Sequence, residues 1–157
     1  MKTGTVPILC VLASCGFHLQ SRQPLPLQFA YTYVDTQDEQ TDFVQDLRKA
    51  LIASKVNVIR TKGSSGAVIS VHDDELTERI LSVSARNIPT EYELTYRVKF
   101  SVVSEGTTLI DKEEITATRD ISFDEAQLLA KEREQEILRA ALARDLVALV
   151  MRRLAAL

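Results

Sequence analysis

The stretch Tyr92-Glu93-Leu94-Thr95-Tyr96-Arg97-Val98-Lys99-Phe100-Ser101-Val102 decides the fold. Tyr92, Leu94, Tyr96, Val98, Phe100 and Val102 fall on one parity, and Glu93, Thr95, Arg97, Lys99 and Ser101 on the other. Successive side chains of a strand point to opposite faces, so this alternation predicts a β-strand with one buried and one wet face. Glu105-Gly106 then turns the chain, and Thr107 to Arg119 reads as the returning strand of an antiparallel hairpin.

Working outward, Leu27 to Val34 alternates in part and carries Phe29, Tyr31 and Tyr33, which favours a strand. Thr36 to Ser54 reads as a helix: Phe43, Leu47 and Leu51 recur every four residues. Asp38, Glu39 and Asp42 sit near its start, where the helix dipole favours negative charge. Val56 to Thr61 is a short strand. Gly63-Ser64-Ser65-Gly66 is a turn, lacking the Lys and the glycine spacing of a phosphate-cradling loop. Ala67 to His72 and Glu78 to Arg86 read as two strands, with the acidic cluster Asp73-Asp74-Glu75 as a solvated turn between them. Downstream, Ser122 and Glu125 form a capping-box pattern opening a long helix from Phe123 to Leu154. Leu138, Leu142, Leu146, Val150 and Leu154 form its apolar row, whereas Asp124 to Glu136 is mostly charged and reads as a solvated face. The order strand, helix, several strands, helix predicts an α+β fold, a two-layer sandwich of a mostly antiparallel sheet with two helices packed on one face. The two helix–strand halves hint at a ferredoxin-like arrangement.

The chain's 157 residues, 45% hydrophobic and 26% charged, suit one globular domain. Nineteen basic against 22 acidic residues give a net charge of -3. That balance excludes a surface that wraps nucleic acid, which needs dense positive charge. No apolar run reaches the ~18 residues a spanning helix needs.

The amino terminus has the character of an export leader. Lys2 precedes the apolar run Val6 to Ala13, which ends in Leu12-Ala13-Ser14-Cys15. This resembles the bacterial lipobox, in which small residues admit the chain to a peptidase and the Cys thiol is acylated. The reading gives a signal peptide over residues 1–14, a lipidated tether over 15–26 containing Pro24, and one α+β domain over 27–157. Cys15 is the expected lipid site, tying the protein to a membrane surface without crossing it.

Catalytic chemistry finds little material. His18 and His72 are the only imidazoles and lie in different elements, so no Ser-His-Asp set can be built from spacing. Glu113 and Glu114 are strand neighbours facing opposite ways, which is wrong for shared acid–base work. His72 beside Asp73 and Asp74 reads as a solvated turn, because adjacent acids at a strand end cannot converge on one ion. The expectation is a non-enzyme with no metal and no cofactor. One basic set stands out: Arg86, Arg97, Lys99, Lys131 and Arg133. Converging, they would bind an anion such as phosphate. Dispersed, they would be surface charges paired with neighbours such as Glu93.

Several motifs resemble the LptE family of lipopolysaccharide-assembly lipoproteins. Cys15-Gly16-Phe17-His18-Leu19 resembles its mature amino terminus, and Thr90-Glu91-Tyr92-Glu93-Leu94 the start of its central strand. Ala126-Gln127-Leu128-Leu129-Ala130-Lys131 and Glu134-Gln135-Glu136-Ile137 resemble its final helix. The resemblance implies an outer-membrane lipoprotein that plugs and supports assembly of the LptD β-barrel and contacts lipopolysaccharide. It implies contact through Arg86, on the strand before the central hairpin, and Lys131, on the last helix. Arg97 and Lys99 are candidate contributors to the same binding. Gly16 after the Cys favours the outer membrane. The alternative is a periplasm-facing lipoprotein adaptor or pilotin for another envelope assembly.

Overall fold

The alternating stretch forms the middle of β4 (Pro89–Ser104), which pairs antiparallel with β3 (Ala67–Val83) on one side and β5 (Thr107–Ser122) on the other. A computed structural model describes residues 24–122 and 128–157. The remaining elements are β1 (Tyr31–Asp35), α1 (Asp42–Ala53), β2 (Asn57–Ile59) and α2 (Leu128–Ala155), with single 3-10 turns at Leu27–Phe29 and Lys62–Ser64. The sheet order is β2-β1-β3-β4-β5. It is a mixed sheet: β1 pairs parallel with β2 and with β3, through short registers, and the two long pairings are antiparallel. The ferredoxin-like hint fails on this topology. In a split βαβ another strand lies between the two joined by the helix, whereas β1 and β2 are direct neighbours.

Both helices lie over one face. Phe43, Val44, Leu47 and Leu51 of α1 and Leu142, Ala143, Leu146, Val147, Val150 and Leu154 of α2 share one buried cluster with Leu94, Tyr96, Val98, Phe100 and Val102 of β4. The expected apolar rows of both helices are therefore the packed ones. At ~1.5–3 kcal/mol per buried large apolar side chain, this cluster is the main source of stability.

β1 pairs only with residues 67–70 of β3. The sheet is thus five strands wide at one end. Beyond Ser70 it continues as a three-stranded ribbon of β3, β4 and β5, out to the pairs Val83↔Pro89 and Glu91↔Ser122.

Several expected boundaries shift for identifiable reasons. The strand expected from Leu27 begins at Tyr31, because residues 27–29 close a 3-10 turn through Phe29 N–H to Pro26 O (3.0 Å). Helix α1 begins at Asp42, not Thr36. Thr36 and Asp38 fold the preceding loop on itself, with Gln40 N–H donating to Asp38 Oδ1 (2.8 Å), and Thr41 Oγ1 caps the helix by accepting from Val44 N–H (3.3 Å). Asp38 and Glu39 therefore precede the cap. The capping box at Ser122 and Glu125, and the helix start at Phe123, fall partly outside the described residues; Ser122 itself ends β5.

The largest correction concerns Asp73-Asp74-Glu75, which is not a turn. β3 runs unbroken through it. Val71 pairs with Phe100 and Asp73 with Lys99, so His72 is an extra residue, a β-bulge. The bulge changes the phase of alternation. Ala67, Ile69 and Val71 face the helices before it; Asp74, Leu76, Glu78 and Ile80, opposite Val98, Tyr96, Leu94 and Tyr92, take that face after it. The strand expected at Glu78 to Arg86 ends at Val83, and residues 84–88 form the β3–β4 turn. There Ser84 N–H donates to Ile88 O (2.7 Å), and Asn87 holds φ 63°, a left-handed conformation Asn tolerates.

Gly66 sits where chains cross closely. Its N–H donates to Tyr31 O (2.9 Å) and its carbonyl accepts from Glu105 N–H (3.1 Å) and Ser104 Oγ (3.1 Å). A Cβ there would stand 3.2 Å from the Gln28 carbonyl oxygen, whereas at Gly63 it would meet nothing within 4 Å. Gly66→Ala is expected to lower stability by ~1–3 kcal/mol in urea unfolding, and Gly63→Ala to change it by less than ~0.5 kcal/mol.

Candidate functional site

The basic residues singled out in the sequence divide between two places. Arg97 and Lys99 lie on the open face of the sheet, away from the helices, since both alternate with the buried residues of β4. Arg97 is engaged there: its Nη2 bonds Glu75 Oε2 and lies 3.6 Å from Asp73 Oδ2. The Glu75 hydrogen bond, with the nearby carboxylates, pushes its already high pKa further up. Lys99 stands in register between Asp73 and Glu114. The open face is thus a quilt of alternating charges, joined by Arg79–Glu93 at 3.0 Å.

Arg86 is exposed in the β3–β4 turn, at the far end of the ribbon, rather than on a strand. The path of α2 fixes where Lys131 belongs. Gln135 Nε2 bonds Glu78 on β3, Arg119 on β5 bonds Asp145 (2.9 Å), and Arg153 bonds Glu113 on β5 (3.0 Å). α2 therefore enters over the ribbon near β3 and leaves toward the wide end over β5. Lys131 is one helical turn, ~6 Å of rise, upstream of Gln135. Arg86 and Lys131 thus belong to elements that both terminate about the ribbon, and Arg97 and Lys99 are not part of that group. Arg133 is exposed on the same stretch of helix.

Beneath the ribbon is a hollow of roughly 400 Å³, lined by Leu76, Thr77, Glu78, Leu94, Gln135, Glu136 and Arg139. Past it the ribbon becomes apolar and exposed: Ile80 is 53% exposed, Leu81 42%, Val83 50% and Ile88 39%. This patch was missed from sequence. Its signal was Ile80-Leu81, two adjacent apolar residues that break the alternation, and Leu81 is indeed an extra residue between the pairs Ile80↔Tyr92 and Ser82↔Glu91.

A second missed feature is the pair Tyr96–Asp74. The bulge at His72 turns Asp74 toward the helices, where the Tyr96 hydroxyl donates to Asp74 Oδ1 at 2.6 Å. Burial, first, and the adjacent carboxylate push the Tyr96 pKa well above the ordinary phenol range, so it stays a donor. Asp74 Oδ2 is buried without a hydrogen-bond partner. His72 itself is exposed, with Nε2 2.8 Å from Ser101 Oγ. Among the described residues no group of three His, Cys, Asp or Glu is placed to hold a metal ion, and no helix is long and apolar enough to cross a membrane. Cys15, His18 and the leader over residues 1–14 lie outside the described residues.

Comparison with known proteins now decides the family. The family model for LptE, lipopolysaccharide-assembly, matches residues 29–154. The chain belongs to the LptE family. Among solved structures, this LptE-family chain is similar to uncharacterized lipoprotein B of Nitrosomonas europaea, at 29% identity and TM-score 0.73 over 90% of this chain and 91% of that one. It is also similar to the rare lipoprotein B of Shewanella oneidensis, at 25% identity and TM-score 0.70 over 80% of this chain and 94% of that one. A minor lipoprotein of Acinetobacter baumannii shares the fold at 19% identity and TM-score 0.68, over 85% and 94% of the two chains. No curated protein matches the chain significantly by sequence. Membership of LptE supports a role in lipopolysaccharide transport and LptD assembly.

The Tyr96–Asp74 pair generates a stability test. Tyr96→Phe removes the donor and leaves a part-buried carboxylate unpaired, at a cost of ~1–3 kcal/mol in urea unfolding. Adding Asp74→Ala removes that carboxylate, so the double variant is expected to regain part of the loss. A double variant weaker than the sum of the two single changes would count against the pairing.

Proposed function

We propose that this chain is an outer-membrane lipoprotein, anchored through lipid on Cys15, that plugs and supports assembly of the LptD β-barrel and binds lipopolysaccharide during its delivery to the outer leaflet. The observation that carries the reading is the LptE family match over residues 29–154. The relatives named lipoproteins, together with the lipobox-like Leu12-Ala13-Ser14-Cys15, support the anchor. One buried lipid methylene contributes ~0.8 kcal/mol, so two or more acyl chains hold a protein at a membrane stably.

Arg86 and Lys131 bind the phosphates of lipid A in this reading. Phosphate accepts charge-assisted hydrogen bonds from both residue types. Arg97 and Lys99 lie on the sheet's open face, away from the side α2 covers, and Arg97 pairs there with Glu75 and Asp73, so in this reading both serve that face rather than the anion. That polar, charge-balanced face suits the wet interior of a barrel, whose lumen-facing side chains are polar. The role is non-catalytic: the protein positions lipid and partner and changes no covalent bond.

Arg86→Asp combined with Lys131→Asp is expected to weaken lipopolysaccharide binding by about tenfold or more, because each charge-assisted bond contributes ~1.5–3 kcal/mol. Arg97→Gln is expected to stay within about twofold, as for exposed ion pairs generally. Equal binding by the double variant and the parent at moderate salt would reject the site. Cys15→Ser is expected to release the protein from membranes, and mass spectrometry of the parent to find an acylated Cys15. Co-purification with a different envelope assembly and no β-barrel would favour the adaptor or pilotin role instead.

A further inference from the structure

At the wide end of the sheet, opposite the ribbon tip, the chain emerges from the core. Phe29 is fully buried and Leu25 packs against the core, while Leu27 between them is 92% exposed. Tyr31, at the start of β1, is 55% exposed, and Ile52, in the last turn of α1, is 61% exposed. Short ties hold these residues at one end. Asn57 N–H donates to Ala30 O at 2.8 Å, Tyr31 stands in register with Asn57, and Lys55 N–H donates to Ile52 O at 2.9 Å. Tyr31 shares the open face of β1 with Tyr33, since Thr32 between them is buried, whereas Ile52 belongs to the helix layer. Exposed large apolar side chains thus edge this end on both sides of the sheet.

The residues before Leu27 decide what covers it. Cys15 and Pro24 are nine residues apart, ~30 Å at most when extended, so lipid on Cys15 keeps this end of the molecule within about that distance of the bilayer. We propose that the wide end, through Leu27, Tyr31 and Ile52, rests on the headgroup layer of the phospholipid bilayer that carries the anchor. The inference rests on the Cys15 reading above and extends it from the tether to the folded body. The arrangement selects a flat and extended occupant: side chains on two sides of a sheet are beyond the reach of one small ligand, and a plane touches all three. Tyr with Leu and Ile is also the chemistry of the membrane interface, where an amphipathic ring sits at headgroup level and aliphatic side chains enter the acyl boundary.

Charge adds little to this contact. Lys55 and Glu105 are both exposed at the same end, Lys55 beside Ile52 and Glu105 through its N–H to Gly66 O at 3.1 Å. They offset one another, so burial of apolar area, not attraction to an anionic headgroup, is the driving term, and salt screens it little. The tether makes the contact intramolecular, so side chains too few to hold a free protein on a membrane suffice once the lipid is in place. Each large side chain withdrawn from water corresponds to about tenfold in the fraction resting on the bilayer.

The test uses the mature protein isolated from membranes and placed in phosphatidylcholine vesicles. The chain has no Trp, so one introduced residue is the sole reporter of its kind. Leu27→Trp is expected to shift its emission to the blue on vesicles and to lose emission when the lipid chains are brominated. Ile80→Trp, at the ribbon end, is expected to do neither. Adding Tyr31→Ser and Ile52→Ser to Leu27→Trp is expected to lower the bilayer-contacting fraction by about tenfold or more. Tyr31→Trp alone reports the same contact should that triple variant fold poorly. On vesicle-bound protein, a reporter at position 27 that brominated lipid leaves as bright as the one at position 80 overturns the body's contact and leaves the anchor standing. Protein that carries no acyl group and stays off the vesicles overturns both. A reporter already blue-shifted before vesicles are added overturns the bilayer in favour of cover by the protein itself. Quenching that vanishes once an outer-membrane β-barrel is reconstituted alongside overturns it in favour of a protein partner.

Discussion

A single alternation, sustained along β4, holds this structure together. Leu94, Tyr96, Val98, Phe100 and Val102 each present a side chain to the helices, and all are buried. A slip of one residue against either neighbour would move the whole set to the open face and bury Arg97 and Lys99 instead. Desolvating unpaired charges costs far more than surface ion pairs return. The register is thus fixed from both sides: apolar area pulls one parity inward and charge holds the other outward. The helices depend on the same choice, since the rows Phe43–Leu47–Leu51 and Leu142–Leu146–Val150–Leu154 have only that face to cover.

Where the periods were regular, the sequence was readable. The β4–β5 hairpin, the two helical rows and the α+β class follow from spacing alone, because each rests on a repeat of two or of about four. What defeated the reading was a change of phase. At His72 one extra residue shifts β3 by half a period, and a pattern-based reading sees three acids in a row and assigns a turn. The structure spends each acid differently: Asp73 and Glu75 meet Arg97 on the open face, and Asp74 meets Tyr96 beneath the sheet. No local rule foretells that, since the partners lie more than 20 residues away on another strand. The start of α1 was misplaced for a smaller reason: Thr36, Asp38 and Thr41 are all capable caps, and Thr41 is the one that accepts from the helix, at Val44 N–H.

The candidate site was legible as residue types and not as a place. Arg86, Arg97, Lys99 and Lys131 were all visible as cations. Their division between the open face and the ribbon end depends on sheet parity and on the diagonal run of α2, which tertiary contacts settle. The aliphatic residues about Ile80 were hidden for the opposite reason. In sequence they look like strand interior, and their exposure shows only once β3 is seen to run on beyond Ser70, past the last residue paired with β1.

The stop of β1 also has a mechanical side. Five strands joined side by side make a stiff root, whereas beyond it three strands continue with α2 alone laid across them. Such a ribbon twists most at its free tip. A chain built this way is stiffest where all five strands are joined and most compliant in twist toward the β3–β4 turn.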